Sequence, residues 1–246
     1  MPDLTKSGGT TGSGSLLKMT YYGNTTFRME DGDVSLLINP GIVNGEPIVP
    51  NDHDVRVIVA TNHADDALGN ATEIAINSKA WILGNEATIQ KAGAQGGKSW
   101  LLHTLRPEVP YEIPGMKLTP YSLQRLDLAG GGRFENLGLH IEIGKMKIAY
   151  LGDTVVRGPF GQLETDILIT PVGGNDVFEV KDATSLCVDL QPRLTIPMKW
   201  TSSEQPQKFS KYIDQFGRGT IPLILEPGQE VDIEWAAGNE FRYTVN

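Results

Sequence analysis

The sequence predicts an α/β fold in which two β-sheets pack together and helices cover their outer faces. Three observations carry this expectation. Short β-branched or alternating apolar runs recur from Leu17 to Trp235, separated by turn residues. Strands crowd the first part of the chain and alternate with helices later. The helical segments are few, and the clearest is amphipathic.

The elements follow in order. Residues 1–16 are dominated by Gly, Ser and Thr and read as a flexible tail, because such residues bury too little apolar surface to offset their ordering entropy. The run GGTTGSGS lacks the Lys-Ser/Thr pair and the preceding strand of a phosphate-binding loop. Residues 17–246 then read as one domain. Leu17–Tyr22, Thr26–Glu30 and Val34–Ile38 form a meander punctuated by Gly23-Asn24 and Asp31-Gly32. Val55–Ala60 is β-branched with little polarity, as in a strand buried on both faces. Further strands are expected at Ala80–Leu83, Leu118–Leu123, Gly138–Ile143, Met146–Leu151, Ile167–Thr170, Leu194–Pro197, Leu223–Leu225 and Val231–Trp235, with Gly144-Lys145 as a hairpin turn. Helices are expected at Asn85–Ala94, Lys181–Leu190 and Glu204–Phe216. In the last, Ser203 suits the N-cap, Phe209, Tyr212, Ile213 and Phe216 form one stripe, and Gly217 suits a left-handed stop.

Composition excludes several classes. The chain has 246 residues and a net charge of −9, from 30 acidic and 21 basic side chains. That balance argues against a broad nucleic-acid surface. No apolar run is long enough for a transmembrane helix, and the N-terminus lacks the apolar core of a secretory signal. The single cysteine, Cys187, excludes an intrachain disulfide. A cytoplasmic location is expected, and the sequons at Asn24 and Asn70 then read as accidental.

Seven stretches, in order, carry a resemblance: MTYYGNTTFRME at Met19–Glu30, LLINP at Leu36–Pro40, VIVATNHADDALGN at Val57–Asn70, KIAYLGDT at Lys147–Thr154, ILITPVGGN at Ile167–Asn175, LTIPMKW at Leu194–Trp200 and LILEPGQEV at Leu223–Val231. Together they resemble the metallo-β-lactamase superfamily, in the branch of the ascorbate-phosphate-lactonase-like metal-dependent hydrolases. The resemblance implies an αββα sandwich of two mixed sheets flanked by helices, with the site at one sheet edge. In active members a His-x-His-x-Asp-His loop, a further His, the Asp of Gly-Asp-Thr and a late His hold two metals, which lower the pKa of a bound water.

Matched residue by residue, this chain departs from that set. Asn62, Ala64 and Ala67 stand where the loop's histidines are expected, and Lys199 stands where the late His is expected. Only Asp66 and Asp153 keep ligand-type side chains. Nearby, Asn24, Asn39, Tyr150 and Asn175 also replace family residues. Alanine offers no ligand atom, and a lysine ammonium has no lone pair at neutral pH. The resemblance therefore implies a degenerate metal site that binds no metal and needs no cofactor. Two aspartates left without a cation would raise each other's pKa, so an Asp66–Lys199–Asp153 cluster is expected to replace the metal charge.

His63 sits at a spacer position of the loop, beside Asp65. His53 and His103 read as loop and strand-end residues, and Cys187 as core. No Gly-x-Ser-x-Gly elbow is present. Arg125 and Arg157 suit either anion recognition or plain solvation, and Trp200 suits a pocket wall or ordinary packing. Two functions follow. The first is a catalytically inactive binding or scaffolding module for a protein partner or small ligand, self-associating as members of the family do. The second is a hydrolase with a rebuilt metal-independent or mononuclear site, in which Asp66, Asp153, Lys199, Tyr150 and His63 supply acid, base and anion stabilisation.

Overall fold

Alternation along Leu16–Gly23 makes the first strand, β1, with Leu17, Met19 and Tyr21 turned inward and Leu16 and Lys18 outward. The computed structural model describes residues 16–236 and 240–246. The expected tail therefore lies outside the described residues, apart from Leu16, which belongs to β1. The meander continues through β2 (Thr26–Asp31) and β3 (Val34–Ile38), followed by a small ribbon of β4 (Ile42–Val43) and β5 (Glu46–Pro47). Then come β6 (Val57–Ala60), α1 (Ala71–Ser78), β7 (Trp81–Gly84), α2 (Glu86–Ala94) and β8 (Leu102–Thr104). All four residues of β6 are buried, consistent with its place between two neighbours.

The second half runs β9 (Tyr111–Ile113), β10 (Met116–Leu126), β11 (Arg133–Ile143), β12 (Met146–Tyr150), β13 (Ile167–Pro171), α3 (Val180–Leu190), β14 (Leu194–Met198), α4 (Glu204–Phe216), β15 (Ile221–Pro222), β16 (Glu230–Ala236) and β17 (Glu240–Val245). Among the described residues one sheet has the order β17-β16-β1-β2-β3-β6-β7-β8 and the other β15-β14-β13-β12-β11-β10-β9. Both are mixed. β12 to β15 are mutually parallel, as are β3, β6, β7 and β8.

Between the sheets lies an apolar core that includes Leu17, Phe27, Leu139, Ile148, Ile169, Ile196 and Ile233. The outer face of the first sheet packs on α1 and α2 through Leu37, Ile58, Ile74, Ile82 and Ala92. The outer face of the second packs on α3 and α4 through Leu168, Leu186, Phe209 and Ile213. This is the expected αββα layering. No helix among the described residues is long and apolar enough to cross a membrane.

Several local expectations are corrected. Leu223–Leu225 is not a strand. Pairing with β14 begins earlier, at Ile221 and Pro222, and ends after Leu223 N donates to Thr195 O. Ser203 makes no side-chain cap to α4. Instead Gln205 Oε1 accepts from the backbone N–H groups of Thr201 and Ser202. Gly217 has φ of −79°, so the left-handed turn falls on Arg218 and Gly219 instead. Along the α4 stripe, Phe209 and Ile213 are buried while Phe216 is exposed. Helix α1 and strands β8, β9 and β17 were not expected.

Candidate functional site

The C-terminal ends of the parallel strands converge on one edge of the sandwich, where open α/β sheets bind ligands. The loop after β6 brings Thr61, Asn62 and Asp66. The turn after β12 brings Asp153, the loop after β13 brings Asp176, and Lys199 follows β14 directly. Two strands along the same sheet, β10 runs in the direction of β12, and its C-terminal end supplies Arg125.

These side chains form one charged cluster. Lys199 Nζ lies 2.7 Å from Asp66 Oδ2, 2.7 Å from Asp153 Oδ1 and 3.8 Å from Asp176 Oδ2. Arg125 forks onto Asp66, with Nη1 donating to Oδ1 at 2.6 Å and Nη2 to Oδ2 at 2.8 Å. Its Nη1 also donates to Asp153 Oδ2 at 3.0 Å, and its Nε to Asp176 Oδ2 at 2.9 Å. Asp153 is fully buried. Its Oδ1 makes no hydrogen bond of regular geometry, so the close ammonium contact is what compensates that oxygen. Three carboxylates meet two cations, −3 + 2 = −1. Neutral donors relieve the remainder, for Asn62 Nδ2 donates to Asp153 Oδ2 at 3.1 Å.

A layer of amides and hydroxyls fixes the cluster from behind. Asn62 Oδ1 accepts from Ala64 N, and its Nδ2 also donates to Asn136 Oδ1. Asn136 Nδ2 donates to Leu151 O. Asn39 Oδ1 accepts from Thr61 N at 2.8 Å, and its Nδ2 donates to Thr61 Oγ1 and Tyr150 Oη. Tyr150 donates to Thr25 O at 2.6 Å. The Lys199 backbone has φ of 49°, and its N–H donates to Asn24 O.

The charges hold one another in their ionised forms. Burial by itself would raise the Asp66 pKa, but Arg125 and Lys199 overcome it and keep the carboxyl well below the usual carboxylate range. For Lys199, burial opposes the charge, yet Asp153 and Asp66 push its pKa above the ordinary lysine value. Arg125 is likewise raised against its burial by Asp153 and Asp66. Burial, reinforced by Asp153, pushes Tyr150 well above the ordinary tyrosine value.

Asp66, Asp153 and Lys199 are thus brought together, with Asn62 in contact. Ala64 and Ala67 contribute backbone only, and Ala67 is buried in the loop. His63 is not in the cluster. Its ring packs on Phe134 at 4.9 Å, and its pKa is lowered by burial and then by Lys91 and Arg125. Lys91 Nζ donates to His63 O and pairs with Asp65 at 2.7 Å. Cys187 lies in the α3–α4 core, where burial pushes its thiol up to about 11. His53 accompanies Arg28, His103 makes tilted and edge-on ring contacts with Trp81 and Tyr111, and Arg157 pairs with Asp189. Trp200 packs against Tyr21. Sequence reasoning missed the roles of Arg125 and Asp176. Among the described residues no group of three or more His, Cys, Asp or Glu is arranged to hold a metal ion.

Beside the cluster, the loops that carry Asp176 and Lys199 open onto a cavity of about 480 Å³. Gly173, Asn175, Thr201 and Gln205 line it near the centre, and Lys181 and Lys208 line its helical walls. Gln205 Nε2 donates to Gly173 O at 2.8 Å and so ties the two loops together.

Residues 18–199 match the model of a family described as the beta-lactamase superfamily domain. The chain is 27% identical over 234 residues to a UPF0173 metal-dependent hydrolase of Desulforamulus reducens, an alignment covering 88% of this chain and 100% of the relative. The structure is similar to that of Igni18, a metallo hydrolase from Ignicoccus hospitalis, with a TM-score of 0.74 and 19% identity over 89% of this chain and 98% of that one. It is also similar to the metallo-beta-lactamase fold protein YhfI of Bacillus subtilis, with a TM-score of 0.71 and 13% identity over 89% of this chain and 99% of that one.

Proposed function

Because the chain belongs to the beta-lactamase superfamily domain family, we propose that it keeps the hydrolase fold but works with side-chain cations in place of metal ions, as a binding module for a small ligand. The observation that carries this reading is the position of Lys199 Nζ, 2.7 Å from both Asp66 and Asp153. A pair of divalent metals needs several neutral imidazoles and an open water position. The donor set here is carboxylate without imidazole, and an ammonium and a guanidinium fill the space between the carboxylates. These residues do not fit the family's metal pair.

The same geometry argues against acid–base work at the cluster. A general acid or base is most effective with a pKa near the working pH. Here Asp66 is pushed down while Arg125, Lys199 and Tyr150 are pushed up, each away from neutrality. The cluster then holds its loops in place, and the cavity of about 480 Å³ lined by the residues that follow or precede them, such as Asn175 and Thr201, receives the ligand.

The test pairs metal content with activity. The protein is incubated with excess zinc, manganese and iron, desalted and analysed by mass spectrometry, then assayed on lactone, phosphodiester and thioester probes. The expected result is substoichiometric metal and no turnover. One or two tightly held metals per chain would overturn the proposal.

A second reading is favoured by the relatives, which are named metal-dependent hydrolases and align along their whole length. Under it the chain is a hydrolase whose rebuilt site acts without metal, or with a single ion that takes the place of the Lys199 ammonium. Turnover without metal would support the first form. Turnover that requires added manganese or magnesium, and is lost on chelation, would support the second.

A further inference from the structure

We infer that the molecule has a second binding site, a basic groove at the end of the second sheet opposite the charge cluster, which takes a small multiply charged phosphate anion. The topology separates the two. The cluster lies beyond the C-terminal ends of β12, β13 and β14, whereas Lys145 precedes β12, Asp166 precedes β13, Arg193 precedes β14 and Arg218 and Thr220 precede β15. Strands of this length span about 16 Å at roughly 3.3 Å per residue.

Two depressions there share Glu164, Asp166 and Arg193 and so form one groove, with volumes of about 290 Å³ and 420 Å³. Lys145, Lys147 and Arg193 line the first part, and Arg193 and Arg218 the second. Among the described residues only Lys147 of these four has a carboxylate partner, Glu164. Arg193 instead lies over the Trp235 ring at 4.5 Å, which holds its guanidinium in place without neutralising it. Asp166, the other acid in the groove, accepts from Lys147 N through its Oδ2 and attracts Arg193 electrostatically, but it lies outside ion-pair distance of that guanidinium. Lys145, Arg193 and Arg218 are thus exposed, unpaired and distributed along one cleft, in a chain whose net charge is −9.

Distributed cations suit a ligand whose negative charges are also distributed. Guanidinium forks bind phosphate oxygens bidentately, and an ammonium completes the set as a point charge. A diphosphate or triphosphate chain meets that description better than a single orthophosphate. The phosphate chain is common to free polyphosphates and nucleotides, and Trp235 at the groove wall is the residue that would distinguish a nucleobase.

The full-length protein is titrated calorimetrically with tripolyphosphate, ATP and orthophosphate, and the Lys145→Ala/Arg218→Ala and Trp235→Leu variants are tested alongside. Tripolyphosphate is expected to bind more tightly than orthophosphate and to weaken with added salt. The double variant is expected to lose roughly tenfold or more in affinity, as removal of charge-assisted contacts implies, with unchanged thermal stability because both side chains are exposed and unpaired. Equal affinity for ATP and tripolyphosphate identifies a phosphate-chain site. Tighter binding of ATP, with the surplus lost in Trp235→Leu, identifies a nucleotide site. No binding of tripolyphosphate, or unchanged affinity in the double variant, would overturn the inference.

Discussion

Lys199 carries a charge where its surroundings demand one. Three carboxylates face it or its neighbour Arg125, and one of them, Asp153, has no exposed surface at all. Removing one partner from a buried ion pair leaves the other uncompensated, which costs about 3–5 kcal/mol. Lys199→Met should therefore lower the unfolding free energy by about that amount in urea titrations, and unchanged or higher stability would show that the ammonium is dispensable. The pH dependence has a definite sign. Asp66 is held below its unfolded value of about 3.9. Its contribution is fully present above about pH 4 and is lost as pH falls through the folded value. Lys199 is raised, so its contribution is present below its unfolded value of about 10.4 and is lost as pH rises through the folded one. The urea midpoint should stay level between these limits and fall on the acid side, and Asp66→Asn should flatten that acid fall. At this scale Asp66, Asp153 and Lys199 were legible through the family resemblance, because a lysine matched to a ligand position beside two ligand-type aspartates implies that its charge replaces the metal's. Arg125 and Asp176 were not. Each lies at a strand end or in a loop where solvation is the ordinary fate, and only the three-dimensional convergence of β10 and the loop after β13 pairs them.

Secondary-structure elements place the cluster through close backbone contacts. A Cβ added at Gly41 would stand 2.2 Å from Asp66 O, and one added at Gly173 would stand 2.2 Å from Lys199 O. Neither neighbour is a flexible side-chain tip, so each substitution must move a loop that carries a cluster residue. Overpacking of this kind costs about 1–3 kcal/mol. Gly41→Ala and Gly173→Ala should each lower the thermal midpoint measurably, while Gly131→Ala tests only backbone strain, since nothing lies within 4 Å of its Cβ. The elements legible in the sequence were those whose burial follows a simple period, such as β1 with alternate buried residues or β6 with all four buried. β17 failed that test because its residues are mostly exposed on both faces. β8 and β9 are too short to show a period. Helix α1 does carry Ala71, Ile74 and Ala75 at helical spacing, all buried, but it is only eight residues long and its stripe is too short to stand out.

On the scale of the whole molecule, the parallel strands β12, β13 and β14 join two ends of different character. At their C-terminal ends, two cations and three carboxylates are paired and largely buried. At their N-terminal ends, Arg193, Arg218 and Lys145 are exposed and form no ion pair among the described residues. Between them stands an apolar slab containing Ile148, Ile169 and Ile196. Sites separated by more than about 7–10 Å with no shared partner usually behave additively, within about 0.5 kcal/mol. Lys199→Met and Arg193→Ala should therefore destabilise the protein, when combined, by the sum of their separate effects in urea titrations. An interaction energy well beyond that margin would mean that the strands transmit strain between the ends. In that case the cluster and the groove would have to be treated as one coupled device, in which a ligand at either end alters the other.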